Sequence, residues 1–166
     1  MMQLQPMDKQ THEARARLMK QVTKMQEAGE CPTCHGGVYP PATDRILYED
    51  DDVLCLLETY PRNPGHTIVM VKAHYDDISE LPPDVAVRVF PIIHRTVHAL
   101  KTHLGAEKVY LCTMCDGKRN HLHFQLIPRL PGDEIRGSRL FVKQRQLLTG
   151  YTEDVDALRH LMIAPI

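Results

Sequence analysis

From Asn120 to Pro128 the chain alternates residue by residue. His121, His123 and Gln125 occupy odd positions, while Leu122, Phe124 and Leu126 occupy even ones. A helix would scatter these side chains around its axis, but a strand, with its period of two, sorts them into two faces. One face is apolar and can seal a core. The other carries two imidazoles and an amide in a row. An imidazole near neutral pH is a nucleophile, a base and a metal ligand. Taken alone, the run fits either a chemical site or the solvated polar face of an edge strand.

Such a strand needs a sheet, and the chain supplies candidates. RILYED and DVLCLLE are short strand-like runs separated by an acidic turn at Asp50–Asp52, and HTIVMVKAH is rich in β-branched residues. KVYLCTMC, residues 108–115, is predicted as a further strand, and HLHFQLIP, residues 121–128, as the site strand. TYPRNPG, residues 59–65, must be loop. Residues 9–28 read as a polar amphipathic helix with Leu18, Val22 and Met25 on one side and Gly29 as its cap.

Pro82 and Pro83 mark the start of a long helix whose apolar side runs through Val85, Val89, Ile92, Ile93, Val97, Leu100 and Leu104 to Gly105. Pro91 inside it predicts a kink or a broken first turn. LFVKQR is a short apolar run, and a closing helix is predicted from Thr152. The expected class is α+β: mainly antiparallel strands, one long helix and helical ends.

Composition narrows the function. With 166 residues the chain can bury a core without staples. Twenty Lys and Arg against 21 Asp and Glu leave a net charge of −1, without the basic excess of a nucleic-acid polymer binder. No run is long and apolar enough for a membrane span. The first 20 residues lack the apolar stretch of a signal peptide, so a cytoplasmic location is expected. Five cysteines, two pairs of them spaced C-x-x-C, suit metal or redox chemistry better than a disulfide framework.

The run H-L-H-F-Q-L-I-P-R resembles the signature of the histidine triad (HIT) superfamily. The upstream stretch ILYEDDDVLCLLETYPRNPGHTIVMVKAHYDDISEL has that family's order of strand, acidic turn, strand, Gly-His, strand and Lys-x-His. The resemblance covers about residues 31–130 and implies a HIT-like fold. It divides the chain into an N-terminal helical extension (1–30), the HIT-like domain (31–130) and a C-terminal loop and helix (131–166). The implied chemistry is nucleotidyl transfer: the middle histidine, here His123, attacks the α-phosphorus and carries the nucleotide covalently. His121 and Gln125 flank it in the motif.

Gln125 stands where the hydrolase branch has a third histidine. It resembles the branch of uridylyltransferases and dinucleotide phosphorylases. An amide cannot donate a proton as an acid but can hydrogen-bond phosphate oxygens. The expected leaving group is one that needs little protonation, with water, phosphate or a sugar phosphate as acceptor. The loop Asp116–Asn120 replaces the family's longer Gly-Gln-Ser/Thr-Val run, so Arg119 and Asn120 become candidate phosphate contacts. Glu58 falls where the family carries an acidic residue for the ribose hydroxyls.

Cys31-Pro-Thr-Cys34 is half of a tetrahedral zinc site. In zinc-bearing members of the family the other two ligands are the His of Lys-x-His and the first triad His, which are His74 and His121 here. Zinc with four protein ligands would be structural. The other pair, Cys112 and Cys115, falls on a predicted strand, where odd spacing sends the two thiols to opposite faces. Cys55 reads as a buried apolar group. His94 and His98 have the spacing of a metalloprotease helix but lack its Glu. They are expected at the surface with His12, His35, His103 and His160, and His66 is expected to be structural.

Arg136, Ser138, Arg139 and Lys143 form a basic tail cluster that fits either an anion contact or a solvated loop. The reading that follows is a nucleotidyl hydrolase or transferase of a dinucleoside polyphosphate, nucleotide sugar or similar donor, with a homodimer as the expected assembly. The alternative is a non-catalytic, zinc-stabilised nucleotide-binding module.

Overall fold

A computed structural model describes residues 1–35 and 43–164. Its centre is an antiparallel sheet of five strands in the order β2-β3-β4-β6-β5. These are β2 (Ile46–Glu49), β3 (Val53–Leu57), β4 (Thr67–Val71), β5 (Lys108–Cys112) and β6 (His123–Arg129). Every neighbouring pair is antiparallel. The acidic turn closes the β2–β3 hairpin: Asp50 Oδ1 accepts from the N–H groups of Asp52 and Val53 at 2.9 and 2.8 Å.

Register fixes the two faces. Residues directly opposite each other across antiparallel strands share a face. Cys55 pairs Val69 and Val69 pairs Phe124, so these three point the same way. That side is the core, closed by α2 (Pro83–Leu104) and α3 (Thr152–Ile163) through Val89, Ile93, Leu100, Val155 and Leu158, all buried. Cys55 is fully buried as expected, and burial pushes its thiol up to about 12. The opposite side holds Leu56 against Ile68, Ile68 against Gln125 and Gln125 against Cys112, with Met70 beside His123. The apolar alternation of β6 thus packs the core while His123 and Gln125 project from the other face.

α2 starts at Pro82 and ends at Gly105, whose φ of 66° lies in the left-handed region that glycine enters without strain. It runs through Pro91 without the expected interruption. Pro91 and Val87 are both exposed, so the carbonyl that the ring leaves without a donor lies on the solvent side.

α1 (Lys9–Glu27) is capped by Asp8, whose carboxylate accepts from Thr11 N at 2.7 Å. Two strands carried no sequence signal: β1 (Gln3–Gln5) pairs with β7 (Leu147–Thr149) in a separate antiparallel ribbon. This ribbon joins the first residues to the C-terminal segment. Gly137–Val142 forms a 3-10 turn that buries Leu140 and sets Phe141 edge-on to Tyr110. No helix among the described residues is long and apolar enough to cross a membrane.

Candidate active site

β6 begins at His123, two residues later than the alternation predicts. The β4–β6 ladder ends at the pair Met70 and His123. Asp76 takes over just upstream, with Oδ1 accepting from Asn120 N and Oδ2 from the Arg119 guanidinium, both at 3.0 Å. His121 therefore lies just before the strand that carries His123 and Gln125. It is buried, at 7% exposure, and its ring Nε2 faces Val71 O at 2.6 Å.

That bond decides what His121 can do. A ring nitrogen that donates to a carbonyl leaves the other with its lone pair. The free Nδ1 of His121 points at two sulfurs, Cys31 Sγ at 3.5 Å and Cys34 Sγ at 3.3 Å, and His74 Nδ1 lies 3.4 Å from Cys34 Sγ. The four ligand atoms of Cys31, Cys34, His74 and His121 lie within 4.8 Å of one another. Zinc bonds of about 2.3 Å to sulfur and about 2.0 Å to nitrogen place tetrahedral S and N ligands about 3.5 Å apart. The donor set and spacing are compatible with zinc. Burial, with Cys31 next to it, pushes the Cys34 thiol up to about 11, so a cation would be needed to hold that sulfur as a thiolate.

His74 Nε2 lies 3.3 Å from Asp76 Oδ1, which links the cluster to the loop before His121. His35 is outside the cluster, with its Nδ1 on Cys31 O at 3.1 Å.

His123 is half-buried, and its Nδ1 lies 2.9 Å from His121 O. Donation to that carbonyl leaves Nε2 as the basic, nucleophilic nitrogen. Gln125, 4% exposed, places Oε1 3.2 Å from His66 Nε2. The other His66 nitrogen, Nδ1, accepts from Arg62 N at 3.2 Å. The His66 proton therefore sits on Nε2 and is donated to Gln125. Burial holds His66 neutral, with its pKa pushed down to about 4. With its oxygen so engaged, Gln125 keeps its NH₂ for donation elsewhere.

Glu58 sits at the end of β3 among partners of its own. Oε1 accepts from Tyr60 N at 3.1 Å, and Oε2 lies 3.2 Å from Arg145. Burial pushes its carboxyl up, but Arg145 and the Tyr60 N–H outweigh this and hold it below the usual range. Asn120 spends its side-chain amide on both backbone groups of Gly117, at 2.9 and 2.7 Å. Arg119 holds Asp76 by one nitrogen and is 42% exposed, so further donors reach solvent.

Cys112 ends β5, so Cys115 lies beyond the strand, where it meets Thr113 Oγ1 at 3.5 Å. His12, His94, His98 and His160 are exposed as expected. His103 is exposed as well, and its Nε2 reaches the buried Asp154 at 2.7 Å. Sequence reasoning had no signal for Arg62 and Arg145, which bind the segments around Glu58 and His66 together.

The fold and the His-x-His-x-Gln strand define a HIT-like protein, and comparison agrees. The HIT domain matches residues 40–132, and the chain belongs to that family. An uncharacterized HIT-like protein of Methanocaldococcus jannaschii is 37% identical over 93 residues, 54% of this chain and 71% of that one. An adenylylsulfatase of Arabidopsis thaliana is 31% identical over 52% of this chain, which spans only 46% of that protein's length. A zinc-bound histidine triad protein of Mycobacterium smegmatis superposes with a TM-score of 0.57 at 27% identity, over 72% of this chain and 83% of that one.

Proposed function

We propose that the protein is a nucleotidyl hydrolase or transferase that uses His123 as covalent nucleophile. The observation that carries this is the 2.9 Å contact between His123 Nδ1 and His121 O, on a strand whose outer face is half-open. Nε2 attacks the α-phosphorus of the donor. A P–N bond forms, the P–O bond to the leaving group breaks, and the leaving group departs with its electron pair. The positive charge that develops on the ring is held through the Nδ1 proton on the carbonyl of His121. Water or phosphate then attacks the same phosphorus and returns the imidazole.

Gln125 and Arg119 supply donors to the phosphate oxygens, Asn120 shapes the loop beside them, and Glu58 receives the ribose. The amide of Gln125 cannot protonate a leaving group, so donors that release a phosphate or another stable anion are favoured. The relationship to an adenylylsulfatase supports this class.

Cys31, Cys34, His74 and His121 would hold zinc. Bound there, the ion would neutralise two thiolates and fix the residue whose carbonyl orients His123. It has a structural role, and every reacting group belongs to the chain. The family likeness and the outer edge of β5, where Lys108 and Leu111 are exposed, support a homodimer, and we take it to act in the cytoplasm.

The test is product analysis with dinucleoside polyphosphates, nucleotide sugars, adenylyl sulfate and nucleoside phosphoramidates, with and without phosphate. Cleavage by wild type that disappears in His123→Ala supports the reading. Nucleotide binding without turnover of any donor would instead establish the non-catalytic module.

A further inference from the structure

Beyond Gln125, on the side away from the metal cluster, positive charge collects. Arg145 Nη1 lies 3.0 Å from Tyr60 O and 3.2 Å from Glu58 Oε2. The guanidinium of Arg15, from α1, stands 5.9 Å from the centre of the Tyr60 ring. Arg62 donates to Lys143 O, and Lys143 Nζ donates to Asn63 Oδ1. The carboxylates of the same group are Glu58 and Asp133, the latter bonded to Asn63 Nδ2 at 2.6 Å. Four cations from three separate segments thus meet two carboxylates, in a chain whose net charge is −1.

Mutual neutralisation does not account for this surplus. Glu58 needs one cation and has Arg145. Arg62 Nε is buried and has no hydrogen-bond partner among the described residues. An orphaned buried donor destabilises the fold unless something else satisfies it. Burial, and then Arg145 and Arg15 close by, pull Arg62 below its ordinary range, as expected where like charges crowd. Each of these side chains also carries more donors than its protein partners use.

The position fits a ligand. His123 and Gln125 are two residues apart on a strand, about 7 Å. Gln125 meets His66, His66 accepts from Arg62 N, and Glu58 N donates to His66 O at 2.8 Å. The cations therefore surround the end of the face where Glu58 would receive a ribose.

We propose that Arg15, Arg62, Lys143 and Arg145 form an anion subsite that receives a second phosphate group, beyond the one attacked by His123. This rests on the nucleotide reading above. The phosphate is either carried on the ribose of the nucleotide or is a free ion that accepts the nucleotidyl group.

The experiment is titration of full-length His123→Ala, which cannot turn over its ligand. The probes are adenosine 5′-monophosphate, the 2′,5′- and 3′,5′-bisphosphates, and inorganic phosphate with and without the monophosphate. A ribose source predicts that one bisphosphate binds at least about tenfold tighter than the monophosphate, one charge-assisted contact or more. Added Arg15→Gln or Lys143→Gln removes that advantage, and Arg17→Gln, exposed on α1, keeps it. A free-ion source predicts phosphate binding alongside the monophosphate, with the same sensitivity. Monophosphate binding that no added phosphate improves overturns the subsite and leaves the nucleotide reading standing. Phosphate binding that depends on Arg15, with no nucleotide bound, overturns the nucleotide reading and keeps the subsite.

Discussion

The ring of His66 points its Nε2 at the amide oxygen of Gln125, 3.2 Å away. Because Arg62 N donates to the opposite ring nitrogen, the proton has one place to be and the amide one orientation. Loss of the His66 donor frees Gln125 to flip. His66→Phe is expected to lower kcat about tenfold or more, because the donors meant for phosphate oxygens are then misplaced. Steady-state kinetics on a cleaved donor checks this, with His66→Gln, which keeps an N–H donor, recovering part of the loss.

The same histidine makes stability depend on pH. Its folded pKa, about 4, lies below the ordinary 6.5, so the unfolded chain binds the extra proton between those values. The associated stability is complete above about pH 6.5 and falls as pH drops towards 4. A shift of that size amounts to about 3 kcal/mol. Urea unfolding across this range is expected to show a steeper loss for wild type than for His66→Gln.

The metal cluster predicts about one zinc per chain. Cys31→Ser or His74→Ala is expected to lose the ion and lower the melting temperature, since Cys31 is buried and an ion held there would crosslink three separate segments. Elemental analysis with thermal unfolding reads both effects. A native preparation free of metal, with unchanged melting after chelation, would remove the assignment.

Gly65 sits at φ 80°, and a Cβ there would meet Leu104 Cδ1 at 2.4 Å. Gly65→Ala adds left-handed strain to a clash between the β3–β4 loop and the end of α2. A loss of about 2–4 kcal/mol is expected by denaturant unfolding. Gly117 differs. The atom a Cβ would meet first, also at 2.4 Å, is the flexible end of Gln26, so Gly117→Ala costs less and mainly breaks the Gln26 bond to Arg119 O.

Much of this fold is written in local pattern. The alternation of β6, the β-branched run of β4 and the Pro-to-Gly span of α2 each identify an element without reference to the others. The cysteine half of the metal-ready cluster was legible in its spacing, but His74 and His121 only through family likeness, because folding alone joins them to the cysteines. The late start of β6 has a physical cause. Period two assumes that the ladder continues, whereas Asp76 captures Asn120 and Arg119 and ends it. β1 and β7 are three residues each and stabilise one another across the length of the chain, so neither has a signal of its own. The contact of the exposed His103 with Asp154 had no local signal, because the two are 51 positions apart. Of the cations near Glu58 only Lys143 stood out, within the basic tail cluster; Arg15, Arg62 and Arg145 had no signal for the same reason.

The central claim is that His123 Nε2 forms the bond to phosphorus. Turnover of the best donor by wild type and by His123→Ala tests it most directly, with the folded state of the variant checked by its zinc content and melting temperature. The account predicts a loss of at least about a thousandfold in kcat with the fold and zinc intact. Turnover by His123→Ala within a few fold of wild type would contradict it.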